Sequence, residues 1–132
     1  MSAGDVPVED FIAVAEFRTA LRRFLRKSER VAHRSGLTPQ RYLLLLMIKG
    51  SPDGKERSTV TELADRLQLA QSTVTELVSR AEESGLVARE ASSDDGRVAH
   101  LRLTAEGERR LLLSFQGLAT ERRHLRDVVA HL

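Results

Sequence analysis

The chain has 132 residues, 41 % hydrophobic and 30 % charged, a composition that suits one globular domain with a modest core and excludes a disordered chain. It has no cysteine, which excludes disulfides, thiolate nucleophiles, cysteine-based zinc sites and thiol redox sensing, and with one Tyr, four Phe and no Trp it lacks an aromatic platform for stacking single-stranded bases. The net charge of +2 is unevenly spread: residues 12–34 carry seven bases and two acids, residues 58–86 two bases and five acids, and residues 87–104 three of each.

In chain order, residues 8–34 read as one long helix, with Phe11, Val14, Phe17, Leu21, Phe24, Ser28 and Val31 recurring at three- and four-residue steps. Arg18, Arg22, Arg26 and Arg30 form a second stripe, and Gly36 ends the helix. In a chain this short, a three-Phe stripe suits packing against a second copy, with packing inside the monomer as the alternative. "LTPQRYLLLLMIKG" follows: Thr38 is an N-cap, Pro39 fits the first helical position, and Leu43 to Ile48 is apolar on every side, so the helix is expected to be central and buried. "SPDGKER" is a polar loop.

Thr59-Val60-Thr61-Glu62 fits a capping box and opens a short helix with Val60, Leu63, Ala64 and Leu67 on one face. Leu69 and Ala70 make a tight connection to a second helix that carries Val74, Leu77, Val78 and Ala81 inward and ends at Gly85. Two short helices joined this way make a helix-turn-helix. "VAREASSDDGRVAHLRLT" then alternates around Asp95-Gly96, a strand–loop–strand pattern. Thr104 caps a last helix through Leu111, Leu112, Phe115, Leu118, Leu125, Val129 and Leu132, with Gly117 as a candidate kink.

Other chemistry finds no support. The histidines at 33, 100, 124 and 131 form no metal-ligand spacing, and there is no G-x-S-x-G, P-loop or G-x-G-x-x-G, so no metal, cofactor or enzyme activity is expected. The longest apolar run, Tyr42 to Ile48, is too short to span a bilayer, and "MSAGDVPVEDF" does not read as a signal peptide, so a cytoplasmic location is expected.

The order of helix-turn-helix and hairpin is that of a winged helix, and the local sequence resembles the MarR family, the multiple-antibiotic-resistance-type regulators. The resemblance rests on "LTPQRYLLLLMI", "TVTELADRL", "STVTELVSRAEESGLV", "DGR" at 95–97 and "LRLTAEG", and covers residues 37–107. It implies a mainly α fold with a small β-hairpin (α+β): a single domain over 1–132, with a winged helix-turn-helix at 38–104 flanked by dimerisation helices at 8–34 and 105–132. It further implies a homodimer, repression at pseudo-palindromic duplex DNA, and release by a small organic anion or phenolic ligand.

The helix-turn-helix assigns Gln71, Ser72, Thr73, Thr75, Glu76 and Ser79 to the outward face, where the first residues of the helix reach base edges. Glu76 is a departure, because family members often carry a base there: it either reads a specific base or points away and weakens affinity. Ala70 stands where a capping Ser or Asp is common. Arg97 is expected to enter the minor groove, with Asp95 fixing the wing through Arg97 or Arg80. Candidate dimer contacts are Phe11, Val14, Phe17, Leu21, Leu118, Leu125 and Val129. The arginine stripe has two readings: a solvated face with acid partners across the dimer, or one in which an arginine such as Arg26, or His33, lines an anion pocket with Tyr42. The rival function is a winged-helix module that binds protein, suggested by the acidic helix-turn-helix.

Overall fold

The computed structural model describes residues 3–91 and 98–132. A short 3-10 turn at Ala3–Asp5 precedes α1 (Val8–Arg34), α2 (Pro39–Lys49), α3 (Val60–Leu67), α4 (Gln71–Glu83), β1 (Val87–Ala91), β2 (Ala99–Leu103), α5 (Ala105–Gln116) and α6 (Ala119–Val129). This is the α+β winged-helix order expected from the sequence. Among the described residues no helix is long and apolar enough to cross a membrane.

Local chemistry sets the boundaries. The α1 helix ends where Gly36 takes φ +76°, with the Leu37 amide bonded back to the Ala32 carbonyl. Thr38 caps α2 by accepting from the Arg41 amide, with Pro39 at the first position. The Thr59–Glu62 capping box opens α3, and Thr104 caps α5 by accepting from the Gly107 amide. The far end of α2 is closed from a distance: the Arg66 guanidinium, on α3, donates to the carbonyls of Met47 at 2.6 Å and Gly50 at 2.9 Å.

The core gathers Leu44, Leu45 and Ile48 of α2, Leu63 of α3, Val74, Val78 and Ala81 of α4, and Leu86 and Leu101 of the strand region around one centre. So α2 is central, but not apolar contact all round: Leu43 is 41 % exposed. The two strands pair antiparallel with Val87 opposite Leu103, and Ser58 extends the sheet by one bridge to Leu101.

The C-terminal region is two helices rather than one. The chain breaks at Gly117 and Leu118, and Leu118 turns into the core at 1 % exposure. A Cβ at Gly117 would lie 2.7 Å from Val31 Cγ1, so the break is also a point where the chain passes close to α1. Leu118 therefore belongs to the protomer's own core, which corrects its expected place on an outer dimer face.

The tightest approach is at Gly107. A side chain there would collide with the Leu86 backbone carbonyl, to which Thr104 N donates at 3.0 Å, while Thr104 Oγ1 donates to the Gly85 carbonyl at 2.6 Å. Gly107→Ala must push two backbones apart and is expected to destabilise the fold by about 2 kcal/mol, in the range of other overpacking changes. Urea unfolding checks this; a variant as stable as the parent would show that the junction gives freely.

Candidate nucleic-acid interface

The outer face of α4 is polar from Gln71 to Arg80. Gln71, Ser72, Thr73, Thr75, Glu76, Ser79 and Arg80 are all exposed, while Val74, Val78 and Ala81 are fully buried behind them and Leu77 is half-buried. The division follows from the helical period: inward residues at 74, 77, 78 and 81 leave the remaining positions to solvent. The α3–α4 connection is fixed by Gln68 in the left-handed region and by the Leu69 amide donating to the Ala64 carbonyl at 3.0 Å.

Ala70 stands at the N-cap of α4 with extended backbone and makes no side-chain bond to the first turn. The first-turn amides of α4 therefore keep their hydrogen-bonding capacity for an outside acceptor, in the positive field of the helix end.

Glu76 does not stand alone. It accepts from Arg80 Nη2 at 2.7 Å, one helical turn on, with both side chains about two-thirds exposed. Glu76, Arg80, Thr73 and Leu77 share a shallow cleft with Gln40 from the first turn of α2. Among the described residues the partner of Arg80 is thus Glu76, a pairing the sequence reading, which considered Asp95 for Arg80, did not include. Asp95 and Arg97 lie outside the described residues.

The remaining described arginines between 57 and 104 are also held. Arg89 donates to Glu82 at 2.9 Å, tying β1 to α4. Arg57 and Arg102 both donate to Glu90, which joins the segment before α3 to the two strands of the hairpin. Arg66 caps α2 as described above.

The expected dimer residues fall into three groups. Phe11, Val14 and Val129 are exposed, by 59, 51 and 45 %. Phe17, Leu21 and Leu125 are half-buried, and Leu118 is buried. On α5, Leu112, Leu113 and Phe115 are also exposed, although the sequence singled out none of them for contact.

The expected anion pocket does not form from Arg26, His33 and Tyr42. Tyr42 is 5 % exposed inside the core, where burial raises its phenol pKa against the opposing influence of Arg122. Arg26 lines a shallow groove with Arg18, Arg22 and Leu25, a set that includes neither His33 nor Tyr42, and His33 is exposed on the last turn of α1. Sequence reasoning missed a cavity of about 650 Å³ between the end of α2 and α5, floored by Leu46, Leu111, Leu112 and Phe115. Lys49 stands at its rim, bridged to Glu56 at 3.0 Å and Glu108 at 2.9 Å, which raises its pKa. The apolar stripes signalled these residues singly; their meeting is a tertiary event.

Comparison with known proteins follows the same lines. Residues 35–98 match the sequence profile described as MarR family. The HTH-type transcriptional repressor MdtR of Bacillus subtilis (strain 168) is 35 % identical over 75 residues, 57 % of this chain and 46 % of that protein. The HTH-type transcriptional regulator YsmB of the same organism is 30 % identical over 120 residues, 87 % of this chain and 77 % of that protein. The chain thus spans less than half of MdtR and about three-quarters of YsmB. A mutant E. coli MarR complexed with operator DNA superposes with a TM-score of 0.67 at 18 % identity, covering 82 % of this chain and 75 % of that one, a likeness of fold.

The open cap at Ala70 yields a direct test. Its extended backbone already suits a capping side chain, so Ala70→Ser is expected to stabilise the protein by about 1 kcal/mol. Thermal unfolding reads the gain; an unchanged or lower midpoint would show that the first turn of α4 does not accept a serine cap.

Proposed function

Since this chain belongs to the MarR family of transcriptional regulators, we propose that it works as a homodimeric repressor on pseudo-palindromic duplex DNA, inserting α4 into the major groove. The observation that carries the reading is the outer face of α4: its seven outward positions from Gln71 to Arg80 are polar and exposed above an inner face in which Val74, Val78 and Ala81 are fully buried and Leu77 half-buried. The name of MdtR as a repressor and the MarR complex with operator DNA support it. The acidic helix-turn-helix favours the rival reading as a protein-binding module, which predicts no salt-sensitive DNA binding.

In the repressor reading, Gln71 pairs with adenine, and Ser72, Thr73, Thr75 and Ser79 take base edges or phosphates. Arg97, which follows β1 and precedes β2 in the chain, is the candidate for minor-groove contact, with Asp95 as its companion. Dimerisation covers the exposed side chains of Phe11, Val14 and Val129, flanked by the half-buried Phe17, Leu21 and Leu125. The exposed Leu112 and Phe115 extend that demand for cover onto α5. A small-molecule ligand would find room in the α2–α5 cavity. The cations at its rim, Lys49 and Arg109, already face Glu56, Glu106 and Glu108, so the cavity suits a phenolic or apolar group better than a bare anion. A repressor of this kind acts where the DNA is, in the cytoplasm.

Glu76 and Arg80 act as a unit in this reading. The carboxylate accepts from a cytosine amino group and the neighbouring guanidinium donates to guanine O6 and N7, so together they match a G·C pair.

Two measurements test the proposal. Selection of bound duplexes from a random pool is expected to return a two-fold symmetric site with half-sites about one helical turn apart; no enriched sequence and no salt-sensitive gel shift would favour the protein-binding reading. On that selected site, Glu76→Gln is expected to relax the preference for G·C at one position by about tenfold, the low end of what one good base contact supplies, and to raise affinity for random duplex. An unaltered base preference would remove Glu76 from the reading surface.

A further inference from the structure

We propose that Gln40, in the first turn of α2, is a contact to the DNA backbone: its carboxamide donates to a phosphate of the strand that passes along the α2 side of the recognition helix. The inference rests on the regulator reading above and adds to it a residue from outside the helix-turn-helix.

The geometry starts from α4. At about 100° per residue, Ser72, Glu76 and Ser79 form the outermost strip of the helix, opposite the buried Val74, Val78 and Ala81. Thr73, Leu77 and Arg80 form one flank, and Thr75 lies on the other. A helix laid in the major groove turns its outermost strip to the base edges and its flanks to the sugar-phosphate walls. The flank of Thr73 and Arg80 is therefore the one that meets a phosphate on the α2 side.

Gln40 stands on that flank. It joins Thr73, Glu76, Leu77 and Arg80 around a cleft of about 180 Å³. That is below the ~300 Å³ of the smallest usual ligand pockets, and suits a phosphate with its water. Three of the lining residues belong to the reading face and none to the expected dimer contact, so what reaches α4 also reaches the cleft.

Donors at this flank are limited. Arg80 is turned to Glu76, with 2.7 Å between Nη2 and Oε1. The side chains of Gln40 and Thr73 are exposed and make no hydrogen bond among the described residues. Gln40 is held in place by its own helix start: Thr38 caps the turn that carries it, and Pro39 precedes it in the first helical position. Its lack of charge also fits the site. A lysine there would pair with Glu76 as Arg80 does, whereas an uncharged carboxamide, with two N–H donors, feels less of that pull and keeps a donor for a phosphate oxygen.

The test uses the full-length protein and the duplex selected from the random pool, together with copies of that duplex in which single phosphates are replaced by uncharged methylphosphonates. Affinity is read by fluorescence anisotropy. Gln40→Ala is expected to weaken binding about tenfold for each protomer engaged, on the selected site and on random duplex alike, as the loss of one hydrogen bond to a charged group would. The slope of log affinity against log salt is expected to stay the same, because no cation is removed. At one phosphate in each half-site, the methylphosphonate is expected to weaken the parent and to cost the Gln40→Ala variant little more. Losses that simply add at every phosphate overturn the proposal, as does an Ala variant that binds like the parent. An Ala variant with an altered base preference overturns it too, since that would place Gln40 on the base edges. A parent protein that binds no duplex defeats the regulator reading and the proposal with it, whereas a parent that binds while Gln40 couples to no phosphate defeats the proposal alone.

Discussion

The close approach of α5 to the Leu86 carbonyl is the constraint through which the reading head and the terminal helices are joined. Gly107 offers no Cβ, so the first turn of α5 settles directly on the backbone that leads from α4 into β1. Thr104 then bonds both Gly85 and Leu86 while capping α5. Strand pairing begins at the same point, with Val87 opposite Leu103. One junction thereby sets the end of α4, the register of the hairpin and the direction in which α5 departs. Because α5 and the turn after it carry Leu111 and Leu118 into the common core, α4 has little freedom to rotate against α1 and α6. In a dimer held by the terminal helices, that stiffness would fix the distance between the two recognition helices.

The element boundaries were legible because local chemistry makes them. Thr38, Thr59 and Thr104 are caps whose partners lie three residues away, and Gly36 and Gly85 take positive φ at helix ends. The inner face of α4 was legible for the same reason, since periodicity is a local property. What failed needed knowledge of direction in space. Leu118 continues the apolar stripe of the last helix in sequence, but the break at Gly117 turns it inward. Tyr42 has the chemistry of a ligand contact, but lies in the core. The Arg66 cap on α2 and the joint grip of Glu90 on Arg57 and Arg102 link residues 12 to 33 positions apart, and no local pattern announces such pairs.

These long-range pairs change what the acidity of the reading head means. Exposed ion pairs contribute little to stability, so their number is a poor argument for the strength of the fold. Their effect is on where the guanidinium groups point. Glu90 ties the hairpin strands to the segment before α3, Glu82 ties β1 to α4, and Glu76 aligns Arg80 along α4 in the favourable order of acid before base. An arginine already engaged gains less from a phosphate, because contact must compete with an existing partner. A base edge with complementary donors and acceptors loses much less, since it can bond the pair as it stands. In the repressor reading the acids therefore lower the affinity common to all duplexes more than the affinity for a matched one. The ratio between the two, rather than either affinity alone, decides occupancy of a site in a genome. In the repressor reading, an acid on the recognition helix is then consistent with DNA binding: it trades general attraction for discrimination.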